Sequence, residues 1–471
     1  MRIRSRLLPL LLLPFVISVG CRSVTEQMSP DADEQIPAAA GSFKHADSTP
    51  DRLENSEWWT LFNDPTLNQL VASLNAANPD ADAALARIDQ SFAAMGITRG
   101  PTYPTVRGNL SGGRRRDSIN NLLFPIETPE YNRFMLGASA SWELDLWGRV
   151  RASVKRDRLR AEAEAVNYHN VLLSLQASLA QQYFAHCAAH TELNLLQRSH
   201  DLAIENLEMQ KARLRMGQGV QAEVANAQLE LQNAATALEA SRRYTGRLLH
   251  AIAVLTETMP SELSDLEPAL LPGIPDIPVG LPSDLLALRP DLLAADRRLR
   301  SAALQVGIRK ADFLPKISLV GGGGIASLKA DNLFAADSTL FDLGPEVDIG
   351  IFQYRFRKAA VAQAKAQFRE AAANFKAAFL TSVKEVDDAL LEARSYSREL
   401  TLQRQALQAA TEAAEAARKR FDTGLTNYFD FIAAERVRLQ TAARESTLTS
   451  ERLLATVRLI QALGGSWPSG E

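Results

Sequence analysis

The sequence lacks the features that most often anchor or staple a protein of this size. After the first 20 residues, no apolar run reaches the roughly 18 residues that a membrane-spanning helix needs. Any membrane crossing must therefore be made by β-strands. Only two cysteines occur in 471 residues, which excludes a disulfide framework. The net charge of −3 gives no support for binding to nucleic-acid phosphate.

Catalytic and metal-binding constellations are missing as well. The sequence shows no nucleophile–base set and no convergent pair of carboxylates, so it predicts no enzyme and no cofactor. Among the six histidines, only His186 and His190 have a helical i, i+4 spacing, and no third ligand lies nearby in the sequence. We therefore expect no metal site.

Glycine and proline, the residues that interrupt helices, are absent from two long stretches. No glycine occurs in 149–216 or 351–423, and no proline in 130–259 or 346–467. Both stretches are rich in Ala, Leu, Gln, Glu and Arg, which are good helix formers. They predict long helices over about 149–216 and 355–421, each about 100 Å long at 1.5 Å per residue. After a glycine-containing tip, helices resume over about 221–256 and 427–463.

Residues 134–146 have a period of two, which is the pleat of a β-strand. One face is apolar from Phe134 to Leu146, and the other carries Glu143 and Asp145. An apolar face with aromatic ends is typical of a membrane β-barrel strand, although a half-buried strand on a soluble core would show the same alternation. The complete set of predicted strands is about 103–113, 133–147, 313–325 and 343–353.

The N-terminus predicts a targeting signal over residues 1–20. Three arginines precede an apolar run over 7–19, which is too short to span a membrane as a helix. Small residues then precede Cys21, which resembles the cleavage and lipidation site of a bacterial lipoprotein. The alternative is an ordinary secretory signal. Residues 21–57 are polar and contain Pro, Asp and Ser, so we expect a lipidated, extended tether there.

The chain repeats itself. Residues in the first half recur in the same order at a constant separation in the second half; the pairs are Pro79 and Pro290, Asp80 and Asp291, Gly96 and Gly307, Ile97 and Ile308, and Pro104 and Pro315. Further pairs, at a slightly shorter separation, are Arg213 and Arg418, Arg215 and Arg420, and Gly219 and Gly424. We interpret the chain as two structural repeats, 58–259 and 291–466, joined by a proline-rich connector at 260–290.

Four strands cannot form a closed wall in a membrane. A four-stranded sheet in lipid leaves two edges of unpaired N–H and C=O groups, each costing several kcal/mol. The smallest membrane barrels need about eight strands, and a conduit needs more than a barrel filled by its own side chains. Copies of the chain must therefore share one barrel, with eight strands from two copies or twelve from three.

Several motifs together resemble one known family. They are WWxxFxDPxL at 58–67, SWELDLWGRVR at 141–151, RPDxxxAxxxLxxA at 289–302 and two RxRxxxG tips at 213–219 and 418–424. This combination is similar to the outer membrane factors, the TolC-like family of efflux and secretion exit ducts. The resemblance implies a homotrimer with a twelve-stranded β-barrel in outer membrane lipid and a twelve-helix barrel in the periplasm. The lipoprotein signal indicates the lipidated branch, which works with a periplasmic adaptor and an inner-membrane RND-type pump.

The resemblance also implies roles for residues at the two helical tips, 213–224 and 418–430. In the family the tips form the inner aperture and meet the adaptor. The tip residues here are Arg213, Arg215, Gly219, Arg418, Arg420 and Gly424, and the aperture residues are Asn427, Tyr428, Phe429 and Asp430. A ring of three Phe429 side chains would be an apolar gate, and a ring of three Asp430 carboxylates would favour cations. The arginines could equally cap helix C-termini, and Asp430 could equally cap a helix N-terminus.

The sequence departs from the family pattern at two places. Ala433 stands where the family commonly has an aspartate. The second strand-to-helix passage reads Phe352-Gln353-Tyr354-Arg355, where the family usually carries Asp-Gly-Gly-Arg. The geometry of that turn therefore does not follow from the resemblance.

Two functions remain open from the sequence alone. In a trimeric export duct, Glu143, Asp145, Glu346 and Asp348 would face the lumen of the barrel; in a soluble sheet, they would lie on a solvated face. The alternative function is a periplasmic coiled-coil lipoprotein, a scaffold or adaptor that does not span the membrane. Such a scaffold would have similar helices but would not need strands with apolar outer faces.

Overall fold

The structure, a computed structural model, describes residues 23–35, 57–116, 130–263, 266, 271–275 and 289–465. The predicted signal peptide, Cys21, and most of the predicted tether and connector lie outside these residues. The chain divides into two compact units. The sheet unit comprises the described parts of Met1–Ala32, Ala94–Asp157 and Arg300–Arg369, and the helical unit comprises the described parts of Asp33–Ala93, Arg158–Leu299 and Glu370–Glu471.

Long helices and four strands make up most of the described chain, as the sequence predicts. The helices are α1 (Val24–Gln27), α2 (Pro65–Ala76), α3 (Pro79–Arg99), α4 (Arg149–Arg215), α5 (Gln221–Leu255), α6 (Pro290–Ala311), α7 (Tyr354–Asp422) and α8 (Tyr428–Ala462). The strands are β1 (Thr105–Arg116), β2 (Glu130–Glu143), β3 (Lys316–Ser327) and β4 (Thr339–Asp348). Helices α4 and α7 contain 67 and 69 residues.

Within the part of the chain that the structure describes, no helix is both long enough and apolar enough to cross a membrane.

The four strands form one antiparallel sheet in the order β1-β2-β3-β4. The register aligns the alternation of all four strands, so that one face is mainly apolar and the other mainly polar. The apolar face contains Val106, Leu110, Phe134, Leu136, Trp142, Ile317, Leu319, Ile325, Phe341, Leu343 and Val347. The polar face contains Arg107, Asn109, Ser111, Ser139, Ser141, Glu143, Lys316, Ser318, Asp342, Glu346 and Asp348.

The predicted strand ends at 147 and 353 are wrong, because both strands end earlier in the structure. Strand β2 ends at Glu143, since the Asp145 carboxylate turns to accept hydrogen bonds from the first amides of α4, Val150 N and Arg151 N, both at 2.9 Å. Strand β4 ends at Asp348 and begins earlier than predicted, because its register with β3 extends to the pair Ile325–Thr339.

The other predicted strand starts and ends shift for similar local reasons. Strand β3 begins at Lys316 and not at 313, since Phe313 and Leu314 donate to carbonyls of the last turn of α6 at 3.1 and 2.9 Å. Strand β1 continues to Arg116, where Arg114 pairs with Glu130 across the ladder at 2.9 Å.

The core of the helical unit gathers around the first predicted motif. Trp58, Trp59 and Phe62 are buried, and they pack with leucines of α2 and with residues of α4, α7 and α8. Asp64 begins α2 by accepting hydrogen bonds from Thr66 N and Leu67 N at 2.9 and 3.0 Å, a regular N-cap before a proline. Its second oxygen accepts from the Tyr183 hydroxyl at 2.9 Å.

In each repeat, an equivalent side-chain hydrogen bond joins two helices. The residue before the first proline of α3 and of α6 donates a side-chain N–H to the end of another helix. Asn78 Nδ2 donates to the Leu255 carbonyl of α5 at 2.9 Å, and Arg289 Nη1 donates to the Ala462 carbonyl of α8 at 2.7 Å. Because helix C-termini leave carbonyls without partners, both contacts stabilise a helix-to-helix join. The equivalence supports the predicted duplication.

The prediction of an extended tether is wrong for residues 23–30, which we call the N-terminal strap. Within the sheet unit, Thr25 is fully buried, and its N–H and hydroxyl both donate to the Trp147 carbonyl, at 3.1 and 2.7 Å. Two glycines make room for the strap. A Cβ at Gly148 would lie 2.7 Å from Ser23 Oγ, and a Cβ at Gly307 would clash with Ser29 and with the Thr25 carbonyl.

Candidate channel aperture and lumen

Helices α4 and α7 end in the same turn. Gly217 and Gly424 have positive φ angles of 72° and 73°. In the first tip Gly217 N donates to Leu214 O and Gln218 N to Arg213 O; in the second, Gly424 N donates to Phe421 O and Leu425 N to Arg420 O. This pattern is a Schellman cap, in which a glycine takes the left-handed position.

The turn corrects the pairing that the sequence predicts for the tips. Gly217, and not Gly219, is the structural equivalent of Gly424, and Arg213 is equivalent to Arg420. Gly219 has no positive φ, but a Cβ there would approach Glu223 Oε2 and Leu214 N to 3.2 Å. It permits a close approach of the chain, since Glu223 accepts from Val220 N at 3.3 Å and Arg213 donates to Gln218 O at 3.2 Å.

The tip arginines differ in what they contact. The Arg213 guanidinium carbon lies 5.0 Å from the centroid of the Phe429 ring, so the first tip contacts the second. Arg418 lies 5.1 Å from the Phe431 ring and pairs with Asp422 at 3.2 Å. Such cation–π contacts contribute about 0.5–1 kcal/mol at exposed sites. Arg215 and Arg420 have exposed side chains.

The predicted aperture residues surround the start of α8. Asn427 is the N-cap, and its side chain accepts from Asp430 N at 3.0 Å. The Asp430 carboxylate accepts from the Thr426 hydroxyl and remains exposed. An acidic residue in the first helical turn is favoured by the helix dipole. The structure therefore places Asp430 in the first turn of α8, after the Asn427 cap, and keeps its carboxylate at the surface of the tip.

Tyr428 makes a link between α8 and α4 that the sequence does not predict. Its hydroxyl donates to the Glu205 carboxylate, and its ring packs against Phe421 and Phe431 with centroids 5.2 and 5.7 Å apart. Burial and the hydrogen bond to Glu205 raise the pKa of Tyr428 to about 12. The hydroxyl is therefore protonated at every physiological pH. Glu205 lies inside the long helix with no motif around it, so no sequence signal identified it.

The four carboxylates that the sequence predicts to face the lumen differ in their position and contacts. Glu346 and Asp348 lie on the polar face of the sheet and are exposed. Glu143 lies on the same face but binds Arg149 through two nitrogens, the closest contact being 2.7 Å. Asp145 lies beyond the end of β2 and caps α4, so the alternation that placed it on the polar face does not reach it.

No group of three or more His, Cys, Asp or Glu side chains suited to a metal ion occurs in the described part of the chain. His186 is buried in the helical unit, and burial lowers its pKa.

The two-faced sheet and the long helices with capped tips together define a class of protein. A sheet with one apolar and one polar face, in a chain otherwise built of long helices with capped tips, is typical of channel-forming outer membrane proteins. A family model described as outer membrane efflux protein matches residues 70–254 and again residues 281–465. The chain therefore belongs to the outer membrane efflux protein family. The double match agrees with the duplication seen in the sequence.

Relatives match over nearly the whole chain. The solvent efflux pump outer membrane protein SrpC of Pseudomonas putida is 27% identical over 412 residues, which cover 86% of this chain and 87% of SrpC. The cation efflux system protein CusC of Escherichia coli O6:H1 is 26% identical over 482 residues, covering 98% and 99%. The solved structure of the outer-membrane channel OprN is similar with a TM-score of 0.84 at 27% identity, covering 93% of this chain and 99% of that one. The chain is accordingly an outer membrane component of an efflux system.

Proposed function

We propose that this protein is the exit duct of a tripartite efflux system. Three copies share one twelve-stranded barrel in the outer membrane and one twelve-helix barrel in the periplasm. The duct passively conducts small molecules or ions that an inner-membrane RND-type pump and a periplasmic adaptor hand over. Lipid on Cys21 anchors each copy in the outer membrane.

The apolar face of the sheet carries this proposal. Its large side chains are exposed in the single chain, with Phe341 at 89% and Leu110 and Leu343 at 76% exposure. Exposing them to water costs about 25 cal/mol per Å² of apolar surface, whereas a lipid environment would accept them. Strands β1 and β4 each have one edge without a partner strand in the described chain. Neighbouring copies would pair with both edges and close the wall.

The tips support the proposed contact with an adaptor. The exposed side chains of Arg215 and Arg420 offer positive charge at the end of each long helix, which suits acidic groups on the adaptor. Phe429 and Asp430 remain the proposed aperture residues. One relative belongs to a solvent efflux pump and another to a cation efflux system.

The state of association tests the duct directly. We expect the full-length protein to require detergent for extraction from outer membranes, to have the mass of three chains, and to form conducting pores in planar bilayers. A Cys21→Ser variant should still require detergent, because the sheet itself holds it in the membrane. Release of that variant as a soluble protein would support the scaffold alternative and refute the duct.

Removal of the Asp430 carboxylate tests the aperture. We expect Asp430→Ala and Asp430→Asn to lower cation selectivity of the reconstituted pore, because three negative charges leave the constriction. Asp430→Asn keeps a side-chain oxygen that can accept from the Thr426 hydroxyl. This variant therefore separates the effect of the charge from the effect of the hydrogen bond. Asp430→Glu is the matched control and should keep the selectivity. Reversal potentials in a salt gradient provide the measurement, and unchanged values in both neutral variants would remove Asp430 from the aperture.

A further inference from the structure

The second strand-to-helix passage exposes an unusual amount of apolar surface. Between the end of β4 and the first turn of α7, five large side chains are largely open to solvent in the sheet unit. They are Ile349 at 59%, Ile351 at 77%, Phe352 at 98%, Tyr354 at 61% and Phe356 at 75% exposure. In this passage the sequence lacks the two glycines that the family usually carries. The proposed export function assigns no role to its aromatic residues.

The exposed residues adjoin the apolar face of the sheet. Phe341, Leu343 and Val347 lie on that face in β4, and the exposed segment begins directly after the last residue of that strand, Asp348. The passage therefore lies at the boundary where the lipid-facing strands end. Aromatic side chains are favoured at this level of a membrane, because the ring is apolar while the headgroup region is wet.

Positive charge follows directly after the aromatic residues. Arg355 and Lys358 are exposed in the first turns of α7, and among the described residues neither has an acidic partner. Arg357 donates to the Gln353 side chain at 3.3 Å. Interfacial cations attract anionic lipid headgroups by about 1 kcal/mol each. An apolar segment bordered by cations fits the interface of a membrane containing anionic phospholipid.

In the first passage, residues 144–148, Leu146 alone of the large apolar side chains is exposed, and the passage is held in a different way. Trp147 is turned inward, with its indole N–H donating to the Pro315 carbonyl at 2.8 Å. Asp145 caps α4, and the N-terminal strap covers Gly148. The strap begins two residues after Cys21, the proposed site of lipidation. The two repeats thus differ in what they present at the same level of the sheet.

We propose that residues 349–358 form an interfacial anchor that inserts Phe352 and its neighbours at the membrane boundary and binds anionic phospholipid headgroups through Arg355 and Lys358. This anchor rests on the proposed function, since it requires the sheet to lie in a membrane. It gives each chain a second attachment to the membrane. This attachment consists of aromatic and basic side chains, whereas the proposed attachment at Cys21 consists of acyl chains. The acyl anchor serves the first repeat, and the aromatic and basic segment serves the second.

Spin labels locate the segment relative to lipid. A nitroxide is attached to Phe352→Cys in the full-length protein, reconstituted in phosphatidylglycerol–phosphatidylcholine vesicles. Leu343→Cys on the apolar face and Met216→Cys at the first tip are the reference sites. The wild type, in which Cys187 is 1% exposed, is the labelling blank. We expect oxygen, which concentrates in lipid, to relax the label at 352 more than a water-soluble nickel chelate does, as at 343 and unlike 216.

The outcomes separate this anchor from the duct. A label at 343 in lipid with a label at 352 in water overturns the anchor and leaves the duct standing. A label at 352 that is shielded from both reagents means that a neighbouring copy covers the segment, which also overturns the anchor. Labels at 343 and 352 that are both in water overturn the proposed function itself.

Charge removal tests the headgroup preference. We expect Arg355→Gln with Lys358→Gln to weaken the binding of phosphatidylglycerol to the detergent-solubilised protein by about fivefold for each charge removed. Lys365→Gln with Arg369→Gln removes the same charge from exposed positions further along α7 and should leave that affinity unchanged. Equal affinities for phosphatidylglycerol and phosphatidylcholine in the wild type would refute the headgroup contact without requiring any variant.

Discussion

Arg289 shows how one side chain can hold a helix end and several charges at once. Its side chain is 8% exposed; it donates to the Ala462 carbonyl and pairs with Asp291 at 2.8 Å and Glu385 at 2.6 Å. Burial by itself lowers the pKa of this guanidinium, but the hydrogen bonds to Asp291 and Glu385 outweigh it and raise the pKa. The residue is thus charged at any accessible pH.

We expect Arg289→Ala to destabilise the protein by about 2 kcal/mol or more, because it removes a buried guanidinium and leaves the Ala462 carbonyl at the end of α8 without its side-chain donor. Arg458→Ala is the control. Arg458 pairs with Glu392 at 2.8 Å, but both side chains are over a third exposed, and surface pairs contribute about 0–1 kcal/mol. Thermal unfolding in detergent compares the two variants. Equal losses would mean that Arg289 contributes no more than a surface ion pair.

Tyr428 provides a second prediction at the scale of a residue. Removing its hydroxyl by Tyr428→Phe keeps the ring packing but breaks the link between α8 and α4 at Glu205. We expect a larger single-channel conductance at neutral pH, because the two tips are less constrained. Tyr244→Phe, at a half-exposed tyrosine of α5, is the control and should leave the conductance unchanged.

The pH dependence of this link follows from its pKa. Because the folded pKa of Tyr428 is raised to about 12, the stabilising contribution of the hydroxyl is complete below the ordinary value near 10. It is lost as the pH rises through about 12. Between pH 6 and 9, ionisation of Tyr428 should therefore leave the conductance of the wild type unchanged. A conductance step in that window that Tyr428→Phe abolishes would contradict the assignment.

Residue types predicted local roles better than long-range partners. An aspartate before a proline, as at Asp64 and Pro65, is a typical helix start, and Asp64 caps α2 in the structure. Glu205 could not be predicted as the partner of Tyr428, because the two are 223 residues apart and the helix around Glu205 is uniform in composition. The first tip contains two nearby glycines, and only the backbone angle shows that Gly217 takes the left-handed position.

At the scale of elements, the absence of glycine and proline predicted the two longest helices, α4 and α7, and the two-residue period predicted strand β2. The strand ends were less predictable. The two-residue alternation of the sequence continues past the point where the hydrogen bonds between strands end and those of the next helix begin. Asp145 is the clearest case, since it fits the polar face by spacing but caps α4 in the structure. The strap was missed because polar composition predicts an extended tether, whereas burial of Thr25 depends on glycines far along the chain.

The duplicated glycines of α3 and α6 provide a matched test of the strap. Gly307 faces Ser29 and Thr25, whereas nothing lies within 4 Å of a Cβ at Gly96. We expect Gly96→Ala to stabilise the protein by about 0.5–1 kcal/mol through helix propensity. Gly307→Ala should instead destabilise it, because the new Cβ displaces the strap. Thermal unfolding gives the sign, and protease cleavage within 23–35 reports displacement directly. Stabilisation by both changes would mean that the strap is not held in solution.

At the scale of the whole molecule, duplication explains the features that the two repeats share. The strap explains why glycines of the two repeats have different surroundings. Both repeats provide two strands, a long helix, a Schellman cap and a helix-to-helix join. The repeats differ where Gly148 and Gly307 meet the strap and where the second passage exposes aromatic residues. The sequence predicted the equivalence through recurring residues. It could not predict the difference, which arises from a segment outside both repeats.

Assembly of the chains depends on which face of the sheet meets lipid, and two neighbouring residues of β1 test this. Leu110 lies on the apolar face and Asn109 on the polar face. We expect Leu110→Lys to prevent assembly, because a lysine facing the middle of the bilayer costs about 2–4 kcal/mol per chain and every copy in the barrel bears it. Asn109→Lys places the same charge on the same strand but toward the lumen, where water solvates it. Gel mobility of the unheated outer membrane fraction measures the assembled form. Since both changes add one positive charge to the same strand, equal loss of assembly would show that the register does not separate a lipid face from a lumen face.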